Sequence, residues 1–307
     1  AWVARRLRRL AAEVDVIHVY THNAALLSAS VLRRVPTVVP LDTTNAENAH
    51  RLPYRSPTRF TGPMSVPAQR LEARVYNAAD RIVANSMWAQ RSLVRDYRIP
   101  SGDIEVVPLG IAAPDFDGPA PGTSASRPTL VFVGRQLERK GGNRLIDLHQ
   151  RHLRDRSELL VVTEEPVPAL PGVTAVHDLH PGDGRLWELL RAGSIFVFPS
   201  EIDQAPNAVL EAMAAGLPVV ATSTAAVPEM VVDNVTGITI DAGCGDPHAD
   251  DGPLLHAIDR LLVDTALRVR MGNAGRRRQG THYDAHTQTG KLIEILHSVS
   301  HATPRPS

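Results

Sequence analysis

The sequence predicts an α/β fold with two parallel sheets, on three observations. Short β-branched runs alternate with longer amphipathic segments, as strands joined by crossover helices do. That alternation occurs in both halves of the 307 residues. Between the halves, "AAPDFDGPAPGTSASRP" (112–128) concentrates Pro, Gly, Ala and Ser and reads as a linker.

In the first half, "VDVIHVY" (14–20), "TVVPL" (37–41), "RIVANS" (81–86) and "IEVVPLG" (104–110) read as strands, with helices at 69–80 and 87–97. "NAENAHRLPYRSPTRFTGP" (45–63) has neither period and reads as a long loop. In the second half, strands are expected at 129–134, 158–163, 173–178, 194–200, 218–222 and 237–241. A final pair of helices, near 253–272 and 284–300, precedes a "TPRPS" tail. The resulting division is 1–115 for the first domain, 116–128 for the linker, 129–284 for the second domain and 285–307 for the last helix and tail.

Composition excludes several function classes. A hydrophobic content of 43% supports large cores, not a disordered chain. Thirty-three Lys and Arg balance 33 Asp and Glu, so no net charge favours nucleic acid or a polybasic membrane contact, and any anion has to be held locally. The Arg-rich "ARRLRRL" (4–10) reads as a solvated helix face, with contact to an anionic membrane as the unsupported alternative. The single cysteine, Cys244, rules out an internal disulfide framework and fits a reducing compartment. With no apolar run near the ~18 residues a membrane helix needs and no signal-peptide pattern, the expected location is cytoplasmic. The opening "AWVARRLRRLAAEVDVIHVY" reads as the second half of a helix entering a strand, so a preceding segment is expected.

Ligands in open parallel sheets collect outside the carboxyl ends of the strands. Three segments of the second half end up there. The first, "GRQLERKGG", places Gly134, Arg135 and Lys140 after a strand, a set suited to phosphate, with an ordinary solvated loop as the alternative. The second, "SEIDQAPNAVLEAMAAG" (200–216), has Pro at a helix start and Gly after its end. The helix N-terminus near Ala205, Pro206, Asn207 and Ala208 offers unpaired N–H groups to an anion. Asp203 and Glu211 flank it without a Lys or Arg in the segment, as acceptors for sugar or ribose hydroxyls would; the alternatives are helix capping for Asp203 and a polar face for Glu211. The third, "TSTAAVPEMVVDNVTG", carries Glu229 in a helix start.

Together, "FVGRQLERKGG" and "VFPSEIDQAPNAVLEAMAAGLPVVATSTAAVPEMVVDNVTGITI" resemble the carboxyl-terminal domain of the retaining glycosyltransferases of family 4, and "AADRIVANSMWAQRSLVRDYRIPSGDIEVVPLGI" (78–111) resembles more loosely the end of their amino-terminal domain. The resemblance implies the GT-B architecture, two Rossmann-like domains facing a cleft, with the last helix returning toward the first. It implies a retaining, metal-independent transfer of sugar from a nucleotide-diphosphate sugar, which is a co-substrate; no cofactor is expected. The acceptor would be a saccharide, a lipid-linked group or a small molecule. By the same resemblance Arg135 and Lys140 bind the donor diphosphate, Asp203 the transferred sugar, Glu211 the ribose and the backbone near Ala205–Ala208 the phosphates, while Glu229 matches a further family acid.

The sequence departs from the family pattern in two places: Asp203 stands where Glu is usual, and Ala225 and Ala226 stand where a glycine pair is usual. In the first half, Asp42 occupies the strand end where many members carry His, and either orients an acceptor or caps a turn. His18 and His22 sit at another strand end, as a metal pair or as ordinary loop and core residues. The family's first strand and Gly-rich loop have no counterpart, so a truncated amino-terminal domain is expected. The rival readings are a nucleotide-sugar-binding pseudoenzyme without turnover, and a sugar phosphorylase with a lysine-linked cofactor, for which Lys291 offers little.

Overall fold

A computed structural model of the chain describes residues 2–20, 22–49, 61–116, 121, 127–180, 182–201, 203–241 and 251–301. Cys244 and most of the 112–128 stretch lie outside the described residues, as does the middle of the 45–63 segment. The chain divides into two compact units, Ala1–Gly110 with Ala285–Ser307, and Ile111–Asp284.

The first unit runs α1 (Trp2–Leu10), β1 (Ile17–His18), α2 (Ala29–Leu32), β2 (Thr37–Leu41), α3 (Asn45–Ala49), α4 (Thr61–Tyr76), β3 (Arg81–Ala84), α5 (Met87–Tyr97) and β4 (Ile104–Val106). Its strands form one parallel sheet in the order β1-β2-β3-β4. β2 is buried along its whole length, which is why "TVVPL" reads as an unbroken apolar run. Ser86 starts α5 by accepting the Ala89 N–H at 3.1 Å, and Arg98, at φ 58°, stops it.

Two expectations change here. The segment read as a loop from residue 45 opens with α3, because the Thr44 hydroxyl accepts the Glu47 N–H at 3.2 Å and starts a helical turn. The helix read at 69–80 begins earlier, runs through Pro67 and stops at Tyr76, where the Asn77 amide donates to the Ala73 carbonyl at 2.8 Å.

The second unit runs β5 (Thr129–Val133), α6 (Leu137–Lys140), α7 (Gly142–Leu148), β6 (Glu158–Val162), β7 (Val173–Val176), α8 (Arg185–Ala192), β8 (Ile195–Phe198), α9 (Asn207–Ala215), β9 (Val219–Thr222), α10 (Val227–Met230), β10 (Gly237–Ile240), α11 (Gly252–Val263) and α12 (Thr265–His282). The sheet is parallel, in the order β10-β9-β8-β5-β6-β7. From β5 the chain builds outward through β6 and β7, then returns to the other side of β5 for β8, β9 and β10. The order therefore reverses between β5 and β8. Phe132, Phe196 and Phe198 fill the centre with ring centroids 6.2–6.4 Å apart.

The helix read at 253–272 is two helices, because Asp264 takes an extended conformation and caps a new start by accepting the Leu267 N–H at 2.8 Å. α13 (Ala285–Ser300) belongs to the first unit, where Leu292, Ile295, Leu296 and Val299 pack with Val38, Val83 and Val107.

α9 is buried on nearly every side and ends in a Schellman motif: Gly216, at φ 88°, donates to the Met213 carbonyl and Leu217 to that of Ala212, both at 3.0 Å. α12 approaches it closely enough that a Cβ on Gly272 would lie 2.1 Å from the Gly216 carbonyl oxygen. The collision is with backbone, so Gly272→Ala is expected to lose about 1–3 kcal/mol. A lower urea midpoint at unchanged m would register this; an unchanged midpoint would show that α12 can retreat from α9.

Candidate functional site

Ligands of doubly wound sheets bind at the carboxyl ends of the strands where the order reverses, which here are β5 and β8. The loop after β5 contains Gly134 and Arg135 and continues through α6 to Lys140. At Gly141 the chain takes φ 77°, and a Cβ there would lie 2.3 Å from the Pro199 carbonyl oxygen. Only glycine allows that contact, which seats the β5 loop against the β8 loop.

The β8 loop is held from both sides. The Ser200 hydroxyl donates to the Arg139 carbonyl at 3.2 Å, on the β5 side. On the β9 side, Thr222 donates to the Ser200 carbonyl, Thr224 donates to that of Glu201 at 3.1 Å, and the Ala226 N–H donates to that of Gln204 at 3.0 Å. Arg144 adds a guanidinium 3.5 Å from Glu201 and 2.8 Å from Asp251.

These clamps bring Lys140 and Asp203 into a direct ion pair, with side chains only 16% and 9% exposed. The Lys140 ammonium also lies 5.4 Å from the centre of the Phe198 ring. Burial pulls it down to about 8, and Arg139 acts the same way. At neutral pH it still carries its proton, a form the Asp203 carboxylate favours.

Arg135 does not join this pair. It is 74% exposed and bonds Glu164, after β6, at 2.8 Å. Neighbouring Glu165 accepts the Leu137 N–H at 3.0 Å and fixes the start of α6.

Pro206 precedes the first turn of α9, beside half-buried Ala205 and Ala208 and exposed Asn207. Glu211 lies one turn further in. It is the only acid of this helix, burial pushes its carboxyl up, and among the described residues nothing bonds it. Glu229 opens α10, whose backbone is held by Arg278 and Tyr283: each donates to the Glu229 carbonyl at 2.7 Å.

Ala225, where the sequence lacks the expected glycine, stands at φ 47°. A residue with a Cβ bears a cost of about 1–2 kcal/mol in that left-handed region. Ala225→Gly is expected to gain up to about 1 kcal/mol, the rest being offset by greater freedom of the unfolded chain. Chemical denaturation reads the sign directly; a loss of stability would mean that the Ala225 methyl contributes packing worth more than the strain.

In the first unit, Asp42 is exposed directly after β2. His18 is exposed beside Tyr20, whereas His22 is buried with its Nε2 2.8 Å from Glu72. Among the described residues no three His, Cys, Asp or Glu side chains gather to hold a metal.

No motif marks Glu72 in the sequence, yet it is the centre of this region. Its fully buried carboxylate accepts from Tyr76 at 2.6 Å, from Tyr97, and from the Asn45 N–H at 3.0 Å. Tyr97 in turn accepts the Ala46 N–H at 3.2 Å. The chain after β2 is thereby tied down just beyond Asp42. The available signal was an acid in helical register with apolar Val75 and Tyr76.

Burial by itself raises the Glu72 carboxyl, but the bonds from His22, Tyr76 and Tyr97 outweigh it and hold the group below its usual 4.5. A carboxyl depressed on folding stabilises fully above that value, and the contribution is lost as pH falls through the folded titration point. Glu72→Gln is expected to cost about 1–3 kcal/mol at neutral pH. The gap to the parent should narrow below pH 4.5, in urea titrations at several pH values; a gap independent of pH would show that the charge contributes nothing.

Residues 127–264 match the model of the glycosyl transferases group 1, and residues 1–113 match that of glycosyltransferase family 4. The chain belongs to glycosyltransferase family 4. Among curated members, it is 29% identical over 301 residues to the alpha-maltose-1-phosphate synthase of Mycobacterium tuberculosis, covering 87% of this chain and 75% of the relative. It is 31% identical over 242 residues to the D-inositol 3-phosphate glycosyltransferase of Streptomyces avermitilis, covering 69% of this chain and 51% of that one. Among solved structures, the sucrose-phosphate synthase of Thermosynechococcus elongatus superposes with a TM-score of 0.75 at 20% identity, over 97% of this chain and 77% of its own. Anabaena HepE in complex with UDP-glucose gives 0.73 at 17%, over 96% and 82%. The fold is that of the GT-B glycosyltransferases.

Proposed function

We propose that this family 4 chain transfers a sugar, with retention of anomeric configuration, from a nucleotide-diphosphate sugar to a saccharide, lipid-linked or small-molecule acceptor. The observation that carries the reading is the meeting of Lys140 and Asp203 at the reversal point of the second sheet, beside the start of α9. A paired cation and carboxylate beside a helix N-terminus, with Glu211 one turn into that helix, match the chemistry of a sugar diphosphate.

In this reading Lys140 and the N–H groups from Ala205 to Ala208 take the diphosphate, and Gly134 lets the backbone approach it. Arg135 joins on release from Glu164. Glu211, half-buried and unbonded among the described residues, accepts from the ribose hydroxyls, and Asp203 from those of the sugar. Lys140 and Arg135 stabilise the leaving nucleotide as a metal ion would elsewhere, so the reaction proceeds without metal or cofactor. Positioning and leaving-group stabilisation supply most of the rate. Asp42 orients the acceptor hydroxyl, while Glu229 helps shape the donor pocket. Among the described residues no helix is long and apolar enough to cross a membrane, and the proposed place of action is the cytoplasm.

Calorimetric titration of UDP-, GDP- and ADP-sugars tests the reading. One nucleotide series is expected to bind, and Lys140→Ala to weaken it roughly 10- to 100-fold, the scale of a lost charge-assisted bond. Glu211→Ala should weaken it through the ribose. Absence of nucleotide binding by the folded chain would overturn the reading, and binding with no sugar transfer to any acceptor would identify a binding module.

A further inference from the structure

The candidate donor site holds its own counter-ion. Its half-buried cation, Lys140, is engaged by Asp203, and the two come from the segments that follow separate strands, β5 and β8. The loop that carries Asp203 cannot drift away, because Ser200, Thr222, Thr224 and Ala226 fasten its backbone to both neighbours. Lys140 is equally constrained by Gly141 against Pro199 and by the Phe198 ring. An arriving diphosphate therefore meets a cation that must be divided between two anions at close range.

We infer that the Lys140–Asp203 pair makes the site discriminate in favour of nucleotides that carry a sugar over the bare nucleoside diphosphate. The inference rests on the donor-site reading above and adds an energetic coupling between its two halves. When a diphosphate takes Lys140, the carboxylate of Asp203 is left buried, beside a second negative charge and without its cation. Leaving a buried charge uncompensated is costly, and like charges at short range add to the cost. Sugar hydroxyls donate to the displaced carboxylate and remove that cost. A bare nucleoside diphosphate has no such donors, so on it the ion pair competes with the phosphate.

The consequence for turnover follows. Once the sugar has left, the nucleoside diphosphate loses the hydroxyls that kept Asp203 satisfied. Asp203 then recaptures Lys140 and favours release of the product. The same residue pair thus assists donor capture and product departure without any movement of the sheet.

The test is calorimetry of the nucleoside diphosphate and of its sugar conjugate on the parent chain, Asp203→Asn and Asp203→Ser, with thermal melts to establish folding. The parent is expected to bind the sugar nucleotide more tightly than the bare diphosphate. Both variants should gain roughly tenfold or more for the bare diphosphate, the scale of one charge-assisted bond, and should lose the preference for the conjugate. Two substitutions of different size guard against an effect of local packing. If the folded variants bind the bare diphosphate no better than the parent does, the inference is overturned while the donor site stands. If the parent and both variants bind neither ligand, the donor-site reading fails and the inference falls with it.

Discussion

The second unit depends on one topological constraint, the reversal of strand order between β5 and β8. In a parallel sheet built outward from a central strand in both directions, the loops at the reversal leave in opposite directions and open a crevice. Here those loops carry a lysine and an aspartate. Neither would have reason to be buried alone, since a charge removed from water needs a partner. The crevice supplies each with the other, and hydrogen bonds from the β9 loop keep the arrangement rigid.

The ion pair also shows why the surroundings are built as they are. Phe198 gives Lys140 an aromatic face, and Gly141 allows the main chain to approach Pro199 without a side chain between them. Such a pair contributes little net stability, because desolvation offsets most of the attraction. What it provides is a cation and an anion held together where the strand order reverses. Glu211 is a carboxylate with no bond among the described residues, in a helix that is otherwise mostly apolar, and Ala225 adds local strain at the third loop.

The first unit uses a different device. A single buried carboxylate, Glu72, gathers donors from the chain after β1, the chain after β2, its own helix and α5. That organisation fixes the backbone near Asp42 by hydrogen bonds, not by a packed apolar loop. It is absent from any local pattern because its members, His22, Asn45, Glu72, Tyr76 and Tyr97, are scattered over four segments.

Legible in the amino-acid order were the alternating α/β character, the strands of the second unit, and the start and glycine stop of α9. These follow from local periodicity, from Pro and Gly punctuation and from the resemblance of long motifs. Element ends were less legible: the break at Asp264 and the stop at Asn77 arise from side-chain bonds to backbone that periodicity does not register. That Lys140 meets Asp203 while Arg135 turns to Glu164, and that His22 serves Glu72, is set by the packing of the folded chain. The reason is physical: which charges pair depends on strand order and loop contacts between residues far apart in the chain, and no spacing along the sequence encodes that distance.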